Sequence, residues 1–233
     1  MFSIIIPTYN SSSRVIDTIE SVLFQNYTSF EIIVQDGYSI DDTVSLVKQY
    51  LNRVILNIER DSGVYDAMNR AVRIAKGKYT IFLGAGDCLY DENVLSTIAH
   101  RLQHKCPDVI CGYVITDSNG EKGIIRVKPN FLYTIRFIPI CHQAVFAKTD
   151  LLKKRPFDLN YKIGADQDWL MYMKKHKKSF EYIDYPISIY LKDGLSSSEK
   201  GNELFSLESQ RIHQNYYPYW NKFIKWHRKN RNR

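Results

Sequence analysis

Polar side chains that can bind a ligand follow three of the apolar segments near the start of the chain. They are Thr8, Tyr9 and Asn10 after the first segment, Asp36 after the second and Asp87 after the fourth. The chain has no GxGxxG motif after the first segment and no GxxxxGK[ST] motif anywhere, so nothing indicates a glycine-rich phosphate loop. A nucleotide phosphate would instead need a divalent metal, and a carboxylate at the end of an apolar strand suits such a hard cation. We therefore expect Asp87 to hold that metal.

The spacing of the apolar residues predicts the elements that carry these side chains. Strands are expected at residues 2–6, 31–34, 53–58 and 79–83, and helices at 14–23, 43–50 and 64–75. The first strand is rich in apolar β-branched residues, which is typical of a strand buried on both faces. Alternating strands and helices predict a parallel sheet with right-handed crossovers. Ligands bind such a sheet outside the carboxyl ends of its strands, so the polar side chains should meet at one edge.

The pattern changes in the second half of the chain. Strands are expected at residues 108–116 and 123–127 around a hairpin turn at 117–120, and again at 142–147 and 180–190, with a helix at 166–175. We find no internal repeat and no linker rich in Pro, Gly or Ser. The sequence therefore predicts one α/β domain over residues 1–210, with halves at 1–105 and 106–210 and a mixed sheet in the second half.

The positive charge of the protein is concentrated at the end of the chain. Of 233 residues, 32 are Lys or Arg and 25 are Asp or Glu, a net charge of +7. The segment 211–233 carries an excess of Lys and Arg and no acidic residue. On a helix starting at Tyr219, its aromatic residues would share one face, which is the composition of a helix lying in a membrane interface. A solvated tail whose aromatic residues pack on the domain is the alternative.

Composition argues against several classes of protein. No apolar run approaches the roughly 20 residues that span a bilayer, and the first residues do not resemble a signal peptide. The four cysteines form no CxxC pair and no zinc-binding spacing, which favours a reduced protein in the cytoplasm. Residues 1–210 are neutral overall and contain no recognisable nucleic-acid motif, which argues against a nucleic-acid partner except through the tail.

Four segments in the first 90 residues resemble one known family. They are residues 3–10 (SIIIPTYN), 31–37 (EIIVQDG), 59–71 (ERDSGVYDAMNRA) and 75–87 (AKGKYTIFLGAGD). In this order they are similar to the family 2 glycosyltransferases, and the resemblance continues more thinly at 142–146 and 165–170. The bacterial enzymes of colanic-acid type, which build polysaccharides, are the most similar. The resemblance implies the GT-A fold, a nucleotide-binding α/β sandwich.

The resemblance also implies how a nucleotide sugar is bound. Tyr9 would stack on the base, and Asp36 would accept a hydrogen bond from the base edge. Without the family context, Tyr9 could simply cover the edge of the sheet, and Asp36 could simply form the turn that follows its strand. Asp66 and Asn69 share a helix face and would lie beside the nucleotide sugar. The alternative is that both are solvent-exposed residues of this helix with no role in binding. The implied nucleotide-sugar-binding residues are Pro7, Thr8, Tyr9, Asn10, Asp36, Asp66 and Asn69.

By the same resemblance, two aspartates carry the metal and the chemistry. Asp87 matches the last aspartate of the family's DxD motif and would hold Mn²⁺ or Mg²⁺, although Ala85 replaces the first aspartate. Asp166 matches the general base that takes a proton from the acceptor hydroxyl, with Asp168 as a second candidate. Helix start signals alone would make Asp166 the cap of the helix at 167–175.

The implied activity is an inverting transfer of sugar from a nucleoside diphosphate, most commonly UDP, with guanosine and deoxythymidine donors left open. The acceptor would be a glycan or lipid-linked saccharide of the cell surface, and the enzyme would work in the cytoplasm or against the inner face of the membrane. His142 and Gln143 would touch the acceptor or the diphosphate, or be structural. The alternatives are a nucleotidyltransferase, an inactive family member and a protein that binds nucleic acid or membrane through its tail.

Overall fold

The computed structural model describes residues 1–118, 121–126, 141–191 and 199–218. In its first half, strands and helices alternate as the apolar spacing predicts as far as residue 83; the short strand Cys88–Leu89 and the helix Val94–His104 that follow were not predicted. The elements are β1 (Phe2–Thr8), α1 (Val15–Leu23), β2 (Phe30–Asp36), α2 (Thr43–Lys48), β3 (Val54–Ile58), α3 (Val64–Ile74), β4 (Tyr79–Phe82), β5 (Cys88–Leu89) and α4 (Val94–His104).

The second half adds antiparallel strands to this alternation. Its elements are β6 (Val109–Ser118), β7 (Glu121–Ile125), a 3₁₀ turn (His142–Ala144), β8 (Val145–Lys148), α5 (Thr149–Lys154), α6 (Ala165–Lys175), β9 (Phe180–Leu191) and α7 (Glu199–Tyr216). The hairpin of β6 and β7 is confirmed. The residues between these strands, 119–120, and residue 127 of the second predicted strand lie outside the described residues.

One mixed sheet runs through the whole domain in the order β3-β2-β1-β4-β8-β6-β9-β5, with β7 paired to β6. The strands β3, β2, β1 and β4 are parallel, and β8 joins β4 in the antiparallel direction. Thr8 pairs with Asp36 at the carboxyl ends of β1 and β2. The predicted α/β architecture of GT-A type, with a mixed second half, is therefore confirmed.

Helices cover both faces of the sheet, which explains why β1 is apolar on consecutive positions. On one face α3, α5 and α6 pack through residues such as Met68, Leu152 and Trp169. On the other, α1 and α4 pack through residues such as Ile19 and Ile98. Because both faces of a central parallel strand are buried, its residues are apolar at consecutive positions and do not alternate with polar residues.

Gly77 shows how tightly the edge of this core is built. A β-carbon at this position would lie 2.4 Å from the backbone nitrogen of Ser3. The Gly77 N–H instead donates to the Ser3 hydroxyl at 2.8 Å. The glycine that follows α3 is therefore required by the close approach of the chain to β1.

The structure corrects three sequence-based expectations. Residues 142–147 are not one strand, because His142–Ala144 form a 3₁₀ turn and the pairing with β6 begins only at Val145. Asp166 is not a helix cap, because α6 already begins at Ala165. The helix α7 was not expected at all; it continues past residue 210 to Tyr216. Within the described residues, no helix combines the length and the apolar character needed to cross a membrane.

Candidate active site

Two of the predicted binding residues meet at the carboxyl edge of the parallel strands. Thr8 and Asp36 are the last residues of β1 and β2 and not members of the following loops. The Thr8 hydroxyl donates to Asp36 Oδ2 at 3.0 Å, and the backbone N–H and hydroxyl of Ser39 donate to the same carboxylate at 2.7 and 2.6 Å. Asp36 is 0% exposed. Its carboxylate therefore also organises the loop that follows β2.

Aromatic side chains stand exposed beside this edge. Tyr9 is 62% exposed, two residues after the buried Pro7. Asn10 adopts a positive φ of 48°, and its side-chain oxygen accepts the N–H of Ile40 at 3.0 Å. Across the edge the Tyr38 ring, also exposed, lies 5.0 Å from the Arg60 guanidinium. An exposed ring held on an ordered loop is a suitable surface for stacking a planar base.

The predicted pair on α3 is divided between two roles. Asp66 forms an ion pair with Arg70 at 3.1 Å, and its pKa is lowered because hydrogen bonds from Arg70 and Ser62 outweigh the opposing effect of burial. Asn69 binds the backbone of Phe157 through its oxygen and its nitrogen, each at 2.9 Å. The amide of Asn69 thus connects α3 to the segment before α6, and its place among the nucleotide-sugar ligands stays a prediction.

Asp61, which the sequence analysis did not single out, also lies at this edge of the sheet. A β-carbon at Gly37 would lie 2.7 Å from Asp61 Oδ2, so Asp61 packs against the loop after β2. Its pKa is raised by burial and by the carboxylates of Asp66 and Asp36. Asp61 lies inside the 59–71 segment on which the family resemblance rests, but only the fold shows that it returns to the end of β2.

Asp87 is buried just beyond the end of β4, at 5% exposure. Its Oδ2 accepts the Gly84 N–H at 2.9 Å and the Gln143 side-chain N–H at 3.0 Å, and its Oδ1 has a long contact, 3.4 Å, with the Leu191 N–H. Burial raises the pKa of this carboxyl, and the hydrogen bond from Gln143 opposes that shift. The bonds just named come from neutral donors, and an ionised carboxylate at this depth is unfavourable unless a positive charge compensates it.

These surroundings fit one direct ligand for a divalent cation. An oxygen with spare lone pairs on a buried carboxylate is the ligand type that Mg²⁺ and Mn²⁺ take. Ala85 supplies no second carboxylate, and the described part of the chain contains no group of three His, Cys, Asp or Glu side chains able to hold a metal. The remaining ligands would have to come from the diphosphate of a donor and from water.

Asp166 lies in the first turn of α6 and is held from two directions. The Tyr65 hydroxyl, on α3, donates to its Oδ1 at 3.0 Å, and His142 Nδ1 lies 3.1 Å from its Oδ2. The side chains of His142 and Asp166 are 22% and 16% exposed. Both border a small cavity of about 20 Å³ against the apolar side chains of α6. The carboxylate is thus ordered and still reachable from solvent.

The two predicted base candidates face different parts of the molecule. Asp168 lies on the other side of α6, where it accepts hydrogen bonds from Arg155 at 2.9 Å and from the Tyr216 hydroxyl of α7 at 3.0 Å. Burial raises its pKa, against the opposing effects of Tyr216 and Arg155. Asp168 is therefore a buried link between α6 and α7, separated from Asp166.

The 3₁₀ turn contacts both Asp87 and Asp166 and so brings these two carboxylates into one site. His142 meets Asp166, and the next residue, Gln143, donates to Asp87. The preceding Cys141 thiol lies within electrostatic reach of both aspartates: burial raises its pKa to about 12, and Asp166 and Asp87 add to the shift. This turn, expected to be a strand, therefore joins the two acidic centres.

The loop before α6 is positioned by α7. The carboxylate of Glu208 accepts three backbone N–H groups, those of Lys162, Ile163 and Gly164, at 2.7, 3.0 and 2.8 Å. A carboxylate binding successive N–H groups at a helix start is favourable because these groups have no partner inside the helix. The sequence alone carries no signal for this contact, since Glu208 lies more than 40 positions from the loop.

Comparison with known proteins places this arrangement in a wider context. The sequence profile of "Glycosyl transferase family 2" matches residues 3–165. A "PGL/p-HBAD biosynthesis glycosyltransferase" of Mycobacterium tuberculosis is 36% identical over 176 residues, covering 72% of this chain and 68% of that protein. An uncharacterized glycosyltransferase of Rickettsia prowazekii is 29% identical over 190 residues, covering 78% of this chain and 58% of that protein.

Solved structures share the fold. Staphylococcus aureus TarS, residues 1–349 in complex with UDP-GlcNAc, superposes with a TM-score of 0.73 at 23% identity, covering 93% of this chain and 67% of that one. The mannosyltransferase PcManGT of Pyrobaculum calidifontis, in complex with GDP-Man and Mn²⁺, superposes with a TM-score of 0.62 at 17% identity, covering 81% of this chain and 56% of that one. At these identities the likeness concerns the fold.

Proposed function

The chain belongs to glycosyl transferase family 2, and from this membership we propose that it transfers sugar with inversion, using Asp166 as general base. The donor is a nucleoside diphosphate sugar, in the first place a UDP-sugar, and the acceptor is a hydroxyl of a glycan or lipid-linked saccharide. The UDP-GlcNAc bound to TarS and the GDP-Man bound to PcManGT support a donor of this class.

The observation that carries the proposal is the pair of unlike carboxylates joined by the 3₁₀ turn. Asp87 is buried and bound by neutral donors, whereas Asp166 is partly exposed and retains access to an incoming hydroxyl. Asp168 is the weaker candidate base because Arg155 and Tyr216 already engage it. A general base must reach the proton that it abstracts, and this requirement favours Asp166.

In the proposed reaction, Asp166 accepts the proton of the acceptor hydroxyl as its oxygen attacks the anomeric carbon. The new carbon–oxygen bond forms on the face opposite the diphosphate, and the bond from the anomeric carbon to the diphosphate oxygen breaks with its electron pair on the leaving group. The products are the inverted glycoside, the nucleoside diphosphate and a protonated Asp166. Tyr9 stacks on the base, and the buried Asp36 holds the loop beside it through Ser39, which orients the donor for this attack.

Asp87 is proposed to hold Mn²⁺ or Mg²⁺. When bound, such an ion neutralises the charge that develops on the departing diphosphate. PcManGT, which shares the fold and contains Mn²⁺, supports this assignment. Because Ala85 provides no second carboxylate, we expect the affinity for the free metal to be low and to rise when a nucleotide is present.

A lipid-linked acceptor would place the enzyme at the cytoplasmic face of the membrane. The basic, aromatic segment 211–233 supports this part of the proposal through its composition, because interleaved cations and aromatic residues favour an anionic lipid surface. Most of that segment, residues 219–233, lies outside the described residues.

The proposal is tested first by donor binding and then by transfer. Thermal shift and calorimetry with UDP, GDP, dTDP and CDP, each with and without Mn²⁺, should reveal one nucleotide whose stabilising effect requires the metal. Asp87→Asn should lose this effect. Asp166→Asn should keep it while nucleotide release from the matching donor sugar falls about 10²- to 10⁴-fold. The exposed Asp150→Asn is the matched control, and it should behave as wild type.

Three results would overturn the proposal. The anomeric configuration of the product, read by NMR, must be opposite to that of the donor, and retention would exclude the single displacement. If no nucleotide binds and the protein instead binds polynucleotide or anionic vesicles tightly, its function belongs to the tail. Nucleotide binding without any transfer to a range of acceptors would indicate an inactive family member.

A further inference from the structure

The two oxygens of the Asp166 carboxylate have unequal surroundings. Oδ1 accepts the Tyr65 hydroxyl at 3.0 Å and the backbone N–H of Gln167 at 2.8 Å, so its two lone pairs are engaged. Among the residues that the structure describes, Oδ2 has one neighbour of this kind, His142 Nδ1 at 3.1 Å. A carboxylate oxygen offers two acceptor positions, and one position on Oδ2 therefore stays open.

We propose that Tyr65 and His142 are positioning residues that leave Oδ2 of Asp166 as the atom that receives the acceptor proton. This inference rests on the proposed function of Asp166 as general base. To that function the inference adds which oxygen of Asp166 acts as the base and which two side chains orient it. Neither side chain need touch the substrate to have this effect.

Tyr65 is suited to hold Oδ1 because it is fixed at both ends. Its ring is buried between α3 and the core, 5.3 Å from the ring of Phe157. Its single hydroxyl hydrogen serves two acceptors, Asp166 Oδ1 at 3.0 Å and the Ile163 carbonyl at 2.5 Å. Burial, followed by the charge of Asp166, raises the pKa of this phenol well above its ordinary value. The hydroxyl therefore stays a donor throughout the working pH range.

His142 is suited to hold Oδ2 because its backbone is itself anchored. It opens the 3₁₀ turn, whose next residue, Gln143, donates to Asp87 and accepts the Ser188 hydroxyl at 2.8 Å through its carbonyl. A turn fixed at Asp87 and at β9 thus presents the imidazole to Asp166. Because Nδ1 faces a carboxylate, the neutral ring should carry its hydrogen on Nδ1.

The arrangement predicts a specific cost for each substitution. Tyr65→Phe removes one oxygen and keeps the ring, so Oδ1 loses one of its two donors and the carboxylate is held less firmly. Misplacing a catalytic group by about 1 Å costs up to about 100-fold in rate. We expect the kcat for nucleoside diphosphate release to fall between about 10- and 100-fold, while the KM for the donor changes less than about 2-fold.

A competing effect has the opposite sign, which makes the test informative. A hydrogen bond to a carboxylate stabilises its charged form and so makes it a weaker base. If Tyr65 only tuned basicity, its removal would leave Asp166 more basic, and the rate of Tyr65→Phe would be unchanged or higher. That result would overturn the positioning role.

Matched variants separate positioning from folding. Tyr79→Phe is the control, because Tyr79 is also a buried tyrosine and its hydroxyl donates to a backbone carbonyl, that of Pro107 at 2.6 Å, away from the site. It should lower stability comparably and leave kcat unchanged. His142→Asn keeps an N–H near the position of Nδ1, whereas His142→Ala does not, so Asn should retain more activity than Ala.

The experiment combines kinetics with a spectroscopic reading of the imidazole. The five forms (wild type, Tyr65→Phe, His142→Asn, His142→Ala and Tyr79→Phe) are assayed with the UDP-, GDP- or dTDP-sugar selected by the nucleotide screen. In parallel, long-range ¹H–¹⁵N NMR identifies the His142 signals by their loss in His142→Asn and reports the protonated nitrogen. We expect the Nδ1–H form in wild type and Tyr79→Phe, and its loss in Asp166→Ala.

The outcomes distinguish this inference from the proposed function. If Asp166→Asn abolishes transfer while Tyr65→Phe and His142→Ala work at the wild-type rate, the base stands and the positioning role is wrong. If no donor is turned over by any form, the proposed function fails, and the NMR measurement decides the geometry by itself. A His142 ring protonated only at Nε2 would contradict the inference in either case.

Discussion

Replacing Glu208 with glutamine should loosen residues 162–164, the loop that directly precedes α6 and Asp166. Glu208 lies on α7 at 8% exposure, and its carboxylate is the shared acceptor for the N–H groups of Lys162, Ile163 and Gly164. Oε2 accepts two of these groups and Oε1 accepts the third. A glutamine oxygen can keep the first two, but its –NH₂ group then faces the third N–H, donor against donor.

The size of the effect follows from these contacts. Hydrogen bonds to a charged group contribute about 1.5–3 kcal/mol each, roughly twice the value for neutral pairs, and an unsatisfied buried donor costs about 1–3 kcal/mol. Losing one bond and the charge of the other two, with some relaxation of the loop, gives an estimate of about 2–4 kcal/mol. In a protein of this size, 1 kcal/mol lowers Tm by about 2–4 °C, so we expect a decrease of about 4–16 °C.

Urea denaturation and calorimetry measure this effect, with Glu203→Gln as the control. Glu203 lies on the same helix but is exposed, and its substitution should change the free energy of unfolding by less than about 0.5 kcal/mol. A loss of less than about 0.5 kcal/mol in Glu208→Gln as well would refute the argument that α7 secures the loop. Transfer activity at low temperature, where the variant is folded, should fall through kcat if the loop positions Asp166.

Three further predictions concern the edge of the sheet and the thiols. Tyr9→Ala should weaken binding of the preferred nucleotide by about 1–3 kcal/mol in calorimetry, because it removes a stacking ring, and it should leave Tm unchanged because the ring is exposed. Burial raises the pKa of Asp87, so the ionised carboxylate lowers the stability of the folded protein at neutral pH. Asp87→Asn should therefore have a higher Tm than wild type at pH 7. This difference in Tm should shrink as the pH falls through the raised pKa, because Asp87 then becomes protonated in the wild type. Burial raises the pKa of Cys111 to about 12, so a thiol reagent at pH 8 should label the exposed Cys106 rapidly and the buried Cys111 only on unfolding.

Each of these predictions has a direct control. Exposed Phe24→Ala should leave nucleotide affinity unchanged, and equal losses in Phe24→Ala and Tyr9→Ala would contradict stacking. A lower Tm for Asp87→Asn at pH 7 would show that the hydrogen bonds of the carboxylate outweigh its burial. Cys106→Ser should remove the rapid phase of labelling, and a rapid phase that persists would place a second thiol at the surface.

The first half of the fold could be predicted because its signals are local. Strands buried on both faces, such as β1 and β2, show as short apolar runs, and α3 shows as an apolar stripe closed by glycine. These patterns depend only on neighbouring residues and on the periods of strand and helix. The polar residues that end the strands could be named for the same reason.

The helix α7 could not be predicted because its buried residues are largely polar. Glu208 and Ser209 are buried beside Ile212, so the helix lacks the broad apolar stripe on which sequence reasoning relies. Glu208 is buried because the N–H groups before α6 bind its carboxylate. That reason exists only when two segments far apart in the chain meet.

The sequence by itself determined the fold class, the family resemblance and the strand ends that carry Asp36 and Asp87, because burial patterns and short motifs are written in adjacent residues. Only the tertiary structure decided which groups surround each carboxylate. Tyr65 and Asp166 are 101 positions apart, and Gln143 and Asp87 are 56 positions apart. Such contacts depend on how the helices pack across the sheet. The local periodicity of the sequence does not determine that packing.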